Sequence, residues 1–313
     1  MRIRATVAAV SGALALSALA VPGAHAVGSA DSGDRRADVA KVQEIARAAS
    51  GKTAYTGSTG SEGEPYAIDL SFSNVKVNNG APIVVGIANK VTAPVTFTVK
   101  HDASVDITAD DFLMDVELYR GSSYGNWDNL LVGDDWPVCT ETSATTANCK
   151  ATIDVYPDFD LVGNADATTW KAGGYAIALN GVDPDDENAD WSQVGYVEQD
   201  ALTTSKLQRY SKLTVNAAPE PVKKGKTVTV TGKLTRANWD DLAYHGYTLQ
   251  SVQLQFRKKT STTYTTVKTV KTDSSGNLKT TTTATVDGYF RYNFAGTSTT
   301  PAVKATGDYV DVQ

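Results

Sequence analysis

From Tyr66 onward, apolar and polar positions alternate with a period of two. In "YAIDLSFS" (66–73), Ile68, Leu70 and Phe72 oppose Ala67, Asp69 and Ser71. The same alternation marks "IVVGIA" (83–88), "VTFTVKH" (95–101), "LMDVELY" (113–119), "KATIDVY" (150–156) and "GYAIALNGV" (174–182) as strands. "DDFLMDV" fits at most one turn of helix, and no longer helical stretch intervenes, so an antiparallel β-sandwich is expected rather than an α/β domain. The last hundred residues supply seven more strands, among them "KTVTVTGKLT", "SVQLQFRK" and "YFRYNFA", with tight turns at "DSSGN" and "DG". Phe290, Tyr292 and Phe294 share one face and are the expected core, as are Leu254 and Phe256. Seven strands in about 100 residues is the size of an immunoglobulin-like sandwich, though without the inter-sheet cysteine pair of antibody domains.

Upstream the period changes. Val39, Val42, Ile45, Ala46 and Ala49 in "DVAKVQEIARAAS" (38–50) are spaced for a short helix. "GKTAYTGSTGSEGEP" (51–65) then reads as a flexible linker. Residues 1–26 carry the marks of an export signal: Arg2 and Arg4, an apolar run over 5–21, and "AHA" at a cleavage position. Residues 5–21 are short for a membrane span, and no second apolar run of that length follows. Export permits a disulfide between the only two cysteines, Cys139 and Cys149, across a polar hairpin tip.

Charge divides the chain. Residues 54–210 hold 24 Asp and Glu against 8 Lys and Arg, a net of −16, whereas residues 211–313 hold 7 against 14, a net of +7. The expected organisation is therefore a signal peptide (1–26), a helix and linker (27–65), an acidic β-sandwich (66–210) and a basic immunoglobulin-like β-sandwich (211–313). The fold class is all-β, with two sandwich domains and a short N-terminal helix.

The run "LQRYSKLTVNAAPEPVKKGKTVTVTGKLTRANW", with "VQLQFRKK", "YTTVKTVKT" and "DGYFRYNFAGTSTTPAV", resembles the C-terminal half of a family of secreted actinobacterial proteins with bacterial Ig-like modules. "VTAPVTFTVKH", the cysteine hairpin and "YAIALNG" extend the resemblance over most of the chain. It implies an extracellular location and a sandwich fold, and some relatives are labelled calcium-binding. It assigns no site residue.

Several chemistries are disfavoured. Beyond the signal only His101 and His245 remain, too few for an ordinary zinc site once the cysteines are paired. No G-x-S-x-G elbow orients a serine. The two "GKT" tripeptides lack the glycine a phosphate loop needs five positions earlier. The adjacent pairs Asp110-Asp111 and Asp134-Asp135 point to opposite strand faces, so a glycosidase would need acids distant in sequence to converge.

Three ligand readings remain. "GVDPDDENADW" (181–191) gathers Asp183, Asp185, Asp186, Glu187 and Asp190. It fails the EF-hand template, leaving either a non-EF calcium site or a solvated acidic turn, the plainer reading. Trp239, Tyr244 and Tyr247 in one polar loop are candidates for stacking on a glycan, as are the first-domain tryptophans beside acids or amides, Trp127, Trp136 and Trp191, although burial of each Trp under its own loop is the commoner case. Lys223, Lys224 and Lys226 with Arg257, Lys258 and Lys259 would meet either an anionic cell-wall polymer or the acidic domain itself. Nucleic acid is not an expected partner of an exported acidic chain. The expected function is a non-catalytic extracellular or envelope-associated binding protein; the alternative is a secreted hydrolase acting on carbohydrate through acids of the first domain.

Overall fold

The computed structural model describes residues 32–50 and 63–313. The export signal and most of the expected linker lie outside them. Ten strands build a first sandwich: β1 (Tyr66–Ala67), β2 (Leu70–Val77), β3 (Ile83–Val85), β4 (Val91–His101), β5 (Phe112–Ser123), β6 (Asn126–Leu131), β7 (Val138–Ser143), β8 (Thr146–Val155), β9 (Thr169–Ala178) and β10 (Gly195–Arg209). Sheet order is β1-β10-β9-β5-β6 over β2-β4-β8-β7, with β3 alongside the end of β10. In β4 the alternation is clean: Ala93, Val95, Phe97 and Val99 are buried while Thr92, Thr96 and Lys100 face out. "DDFLMDV" enters β5 rather than a helical turn. Cys139 and Cys149 are register partners across the β7–β8 hairpin and form the disulfide.

A second sandwich follows, made of β11 (Ser211–Leu213), β12 (Asn216–Ala218), β13 (Thr227–Asn238), β14 (Ala243–Gly246), β15 (Ser251–Lys258), β16 (Thr265–Lys271), β17 (Asn277–Thr283), β18 (Gly288–Phe294), β19 (Val303–Lys304) and β20 (Asp308–Val310). One sheet centres on β13, the other on β15 and β18. Phe290, Tyr292, Phe294 and Leu254 are buried in its core, with Phe256 partly buried against it.

Helix α1 (Ser32–Ser50) begins six residues before the stretch expected from the sequence and lies on the outer face of the first sheet. Val39, Val42 and Ala46 are buried there against Leu113, Tyr175, Ile177 and Tyr196. Each fully buried valine is worth about 1.5–3 kcal/mol of transfer free energy. Strand β5 is thus buried on both faces: Met114, Val116 and Leu118 point into the sandwich, and Leu113, Asp115, Glu117 and Tyr119 lie on the helix side. Among the described residues no helix is long and apolar enough to cross a membrane.

The two sandwiches meet along a seam. Trp239, just past β13, is 3% exposed and belongs to the hydrophobic core of the first sandwich. Its Nε1 donates to the Gly86 carbonyl at 2.9 Å, and its backbone N–H donates to Asn164 Oδ1 at 3.1 Å. Asn164 N in turn donates to Asp240 Oδ1 at 2.9 Å. A Cβ on Gly163 would stand 2.5 Å from Asp240 Oδ1, so glycine is what lets the two loops close.

Candidate functional site

The acidic loop turns inward on itself. Asp183 Oδ1 accepts from Asp185 N at 2.9 Å, and Asp186 Oδ1 accepts from Asn188 N at 2.8 Å. Asp190 Oδ1 accepts from Ser192 N and Oγ at 3.1 and 2.6 Å, capping the short turn that follows. Three of the carboxylates thereby act as local turn-forming acceptors. Lys41 of α1 reaches the loop, bonding to the Pro184 carbonyl and standing 3.8 Å from Asp185. Glu187 is exposed. Among the described residues, no three His, Cys, Asp or Glu side chains converge in an arrangement that would hold a metal ion.

The aromatic trio expected to stack on glycan is largely committed elsewhere. Trp239 fills the seam, and its burial removes it from any ligand surface; the acids beside it in sequence conceal this. Tyr244 packs against the first core with Lys212 Nζ 3.6 Å from its ring centroid. Tyr247 makes an edge contact with Phe294 (5.7 Å) and carries the Arg236 guanidinium on its face at 3.9 Å.

The basic residues separate into two sets. Arg257 lies between the rings of Tyr289 and Tyr264, at 3.8 and 5.4 Å, and its Nη1 donates to the Ser261 carbonyl at 2.9 Å. It supports its own loop. Lys224, Lys258 and Lys259 instead border one open concavity of about 450 Å³, with Thr260, Thr285 and Asp287. Lys223 and Lys226 are exposed on the adjoining turn, which closes by a Lys226 N to Lys223 O bond of 3.0 Å. Backbone bonds from Lys224 N to Gln313 O (2.7 Å), Gln313 N to Val222 O (2.9 Å) and Lys259 N to Asp287 O (2.9 Å) fix this pole. Lys259 Nζ sits 3.1 Å from Tyr309 Oη and 3.8 Å from Asp287, and the Tyr309 hydrogen bond raises its pKa. Thr227 begins β13 at this pole and Asn238 ends it at the seam, a separation of roughly 35–40 Å for an extended strand of this length. The lysines therefore do not dock the second sandwich on the first. The seam does so with Trp239, Asn164 and Asp240.

An acidic cluster that sequence reasoning missed lies beneath α1. Asp115 and Glu117 of β5 and Glu198 of β10 are buried among Tyr119, Tyr124, Tyr175 and Tyr196. Arg47 binds Glu198 through Nη2 at 2.8 Å and Nε at 3.1 Å, and Tyr196 Oη donates to the same carboxylate at 2.6 Å. Arg36 stands 3.7 Å from Asp115 and 3.8 Å from Glu117. Tyr124 Oη donates to Glu117 at 2.7 Å, its ring lying over Gly173, where a Cβ would come within 2.3 Å of it. Burial, reinforced by the neighbouring Glu117 charge, pushes Asp115 up to about 8 against the pull of Arg36. Burial also raises Glu117. The available signal was the i, i+2 spacing of "DVE", which puts both acids on one strand face; adjacent acidic pairs were the wrong pattern to test. His101 is buried with Nδ1 on the Asp102 carbonyl, and His245 is bound 2.7 Å from Asp241, so both histidines have local polar contacts.

No family model matches the chain, and no curated protein matches it in sequence. Solved structures to which it is similar include an I-band fragment of titin, at 9% identity and TM-score 0.29, with 78% of this chain and 65% of that one covered. The ectodomain of mouse nectin-like molecule 4 aligns at 11% identity and TM-score 0.21, covering 79% and 65%. A backbone pilin of Streptococcus pyogenes aligns at 8% and 0.21, covering 77% and 51%. The chain spans about half to 65% of the length of these structures. The all-β sandwich class is visible in the strands and sheets themselves.

Proposed function

We propose that the chain is an exported, non-catalytic binding protein that attaches to an anionic cell-wall polymer through the lysine pole of its second sandwich. The carrying observation is the position of Lys224, Lys258 and Lys259 around one open concavity, at the end of β13 opposite the seam. Export is supported by the signal-like first 26 residues and by the Cys139–Cys149 disulfide. The strongly acidic first sandwich disfavours unselective adhesion, so contact is concentrated at the pole.

The test is co-sedimentation of the chain from residue 27 with isolated cell-wall material, and with polyphosphate-coated beads, across a sodium chloride series. Binding should weaken steeply between low and physiological ionic strength, as screening shortens to about 8 Å. Substituting Lys224→Glu, Lys258→Glu and Lys259→Glu together should abolish it, while Lys268→Glu and Lys279→Glu on β16 and β17 leave most of it. Equal retention of the triple variant would sink the proposal. The hydrolase alternative draws support from the converging acids, but Glu198 is held by Arg47 and Tyr196, and Asp115 is fully buried.

A further inference from the structure

Alongside α1, a groove of about 430 Å³ runs between the helix and the β5–β6 hairpin. Its size falls in the range of small-ligand sites, roughly 300–1,000 Å³. Trp127 of β6 borders it and is 47% exposed, an unusual position for a large indole. Gly121 sets that position. A Cβ there would lie 2.6 Å from the Trp127 Cα, at φ +152°, so the two strands could not come this close with another residue. Glu117, Arg36, Arg47, Gln43 and Tyr175 supply polar groups around the same space. Two of them are unsatisfied: Gln43 Nε2 and the Tyr175 hydroxyl are shielded from solvent without a hydrogen-bond partner, and Tyr175 as a whole is fully buried. Leaving a buried polar atom unpaired is costly, and a ligand that satisfies it recovers that loss. The terminal torsion of Gln43 is soft, so its amide can turn toward the groove.

Charge narrows the ligand. Arg36 is shared by Asp115 and Glu117, and Arg47 is paired with Glu198, so the arginines are compensated within the protein. An anion would find both guanidiniums already paired, and the further charge in the lining is Glu44, an exposed carboxylate that repels anions and accepts from hydroxyls. A neutral ring bearing many hydroxyls fits: one face lies on the Trp127 indole, and the hydroxyls exchange hydrogen bonds with Gln43, the Tyr175 hydroxyl, Glu117 and the guanidinium edges.

We infer that this groove is a binding site for a neutral saccharide, with Trp127 as its stacking platform, and that the sugar is bound without being cleaved. Two carboxylates border the groove, Glu117 and the exposed Glu44 of α1; Glu117 is buried and engaged by Tyr124 Oη and Arg36, so it is held as a binding group and not freed to activate water. The site stands independently of the lysine pole, because its ligand is uncharged and its residues lie on the other sandwich.

The experiment uses the chain from residue 27, titrated calorimetrically and by tryptophan fluorescence with hexasaccharides of β-1,4-glucan, chitin and α-mannan. At least one should bind with a fluorescence shift, insensitive to salt up to 0.5 M. Trp127→Ala should remove the shift and lower affinity tenfold or more. Tyr175→Phe should lower it several-fold, with thermal melting confirming that both variants fold. Three results would overturn the inference: no binding across the panel, unchanged affinity in Trp127→Ala, or release of new reducing ends from the bound oligosaccharide.

Discussion

At the scale of single residues, Asp115 is the least ordinary group in the molecule. It is a fully buried carboxylate beside a second acid, and its Oδ2 makes no hydrogen bond, although Arg36 Nη2 stands 3.7 Å away. Its folded pKa of about 8 lies above the unfolded value near 3.9. The folded chain therefore holds a proton that the unfolded chain has lost over that interval, and this group makes stability fall as pH rises from about 4 to about 8. Asp115→Asn cannot ionise, so its melting temperature relative to the parent should improve steadily from pH 4 to pH 8. A difference that stays constant between melts at pH 4, 6 and 8 would show that Asp115 does not titrate in this way. The residue pattern needed to find this group was present: "LMDVELY" alternates as a strand. What the strand alone could not disclose is that its polar face is also buried, because the compensating Arg36 comes from a helix about 80 residues earlier in the chain.

At the scale of elements, α1 decides how the first sheet is used. It is anchored by one apolar stripe and by two arginines reaching buried carboxylates. Its 3.6-residue period was readable from Val39, Val42 and Ala46, as the strands were from their period of two. Its target was not readable, since acids and tyrosines on a strand ordinarily signal a solvated face. The same bias misplaced Trp239: "NWDD" has the composition of an exposed loop, and its burial rests on partners distant in sequence, the core of the first sandwich and the carbonyl of Gly86, 153 residues away. Arg47→Met retains helix propensity and apolar bulk but withdraws the guanidinium from Glu198. Breaking a buried charge pair costs about 3–5 kcal/mol. If even 3 kcal/mol falls on helix docking, amide exchange in residues 39–46 should accelerate by about two powers of ten, since each 1.4 kcal/mol is tenfold. Hydrogen exchange with mass spectrometry reads this directly. Unchanged protection of α1, with the loss confined to β9 and β10, would mean that Arg47 serves the sheet and not the helix.

At the scale of the whole molecule, the opposed charges of the two halves suggest electrostatic docking, yet the seam is built from the Trp239 indole, Asn164, Asp240 and backbone groups, with no lysine of the basic pole in it. Trp239, with Ala237 beside it, places side chains of the second sandwich inside the core of the first, so the two sandwiches should unfold together. Trp239→Ala removes that anchor at a cost of about 3–5 kcal/mol, typical of Trp→Ala in a core. Trp239→Phe keeps most of the apolar contact and loses chiefly the bond to Gly86, about 1 kcal/mol. Calorimetry should show one cooperative transition for the parent, one slightly lower transition for Trp239→Phe, and two separated transitions for Trp239→Ala. Raising the salt should leave the parent transition single, because screening weakens charge attraction but not burial of an indole. If high salt alone split the parent transition, the opposed charges would be what holds the sandwiches together and the indole would be incidental. If Trp239→Ala still melted as a single transition close to the parent, the coupling would have to run through the covalent path from β10 into β11 and through the Asn164–Asp240 contact instead.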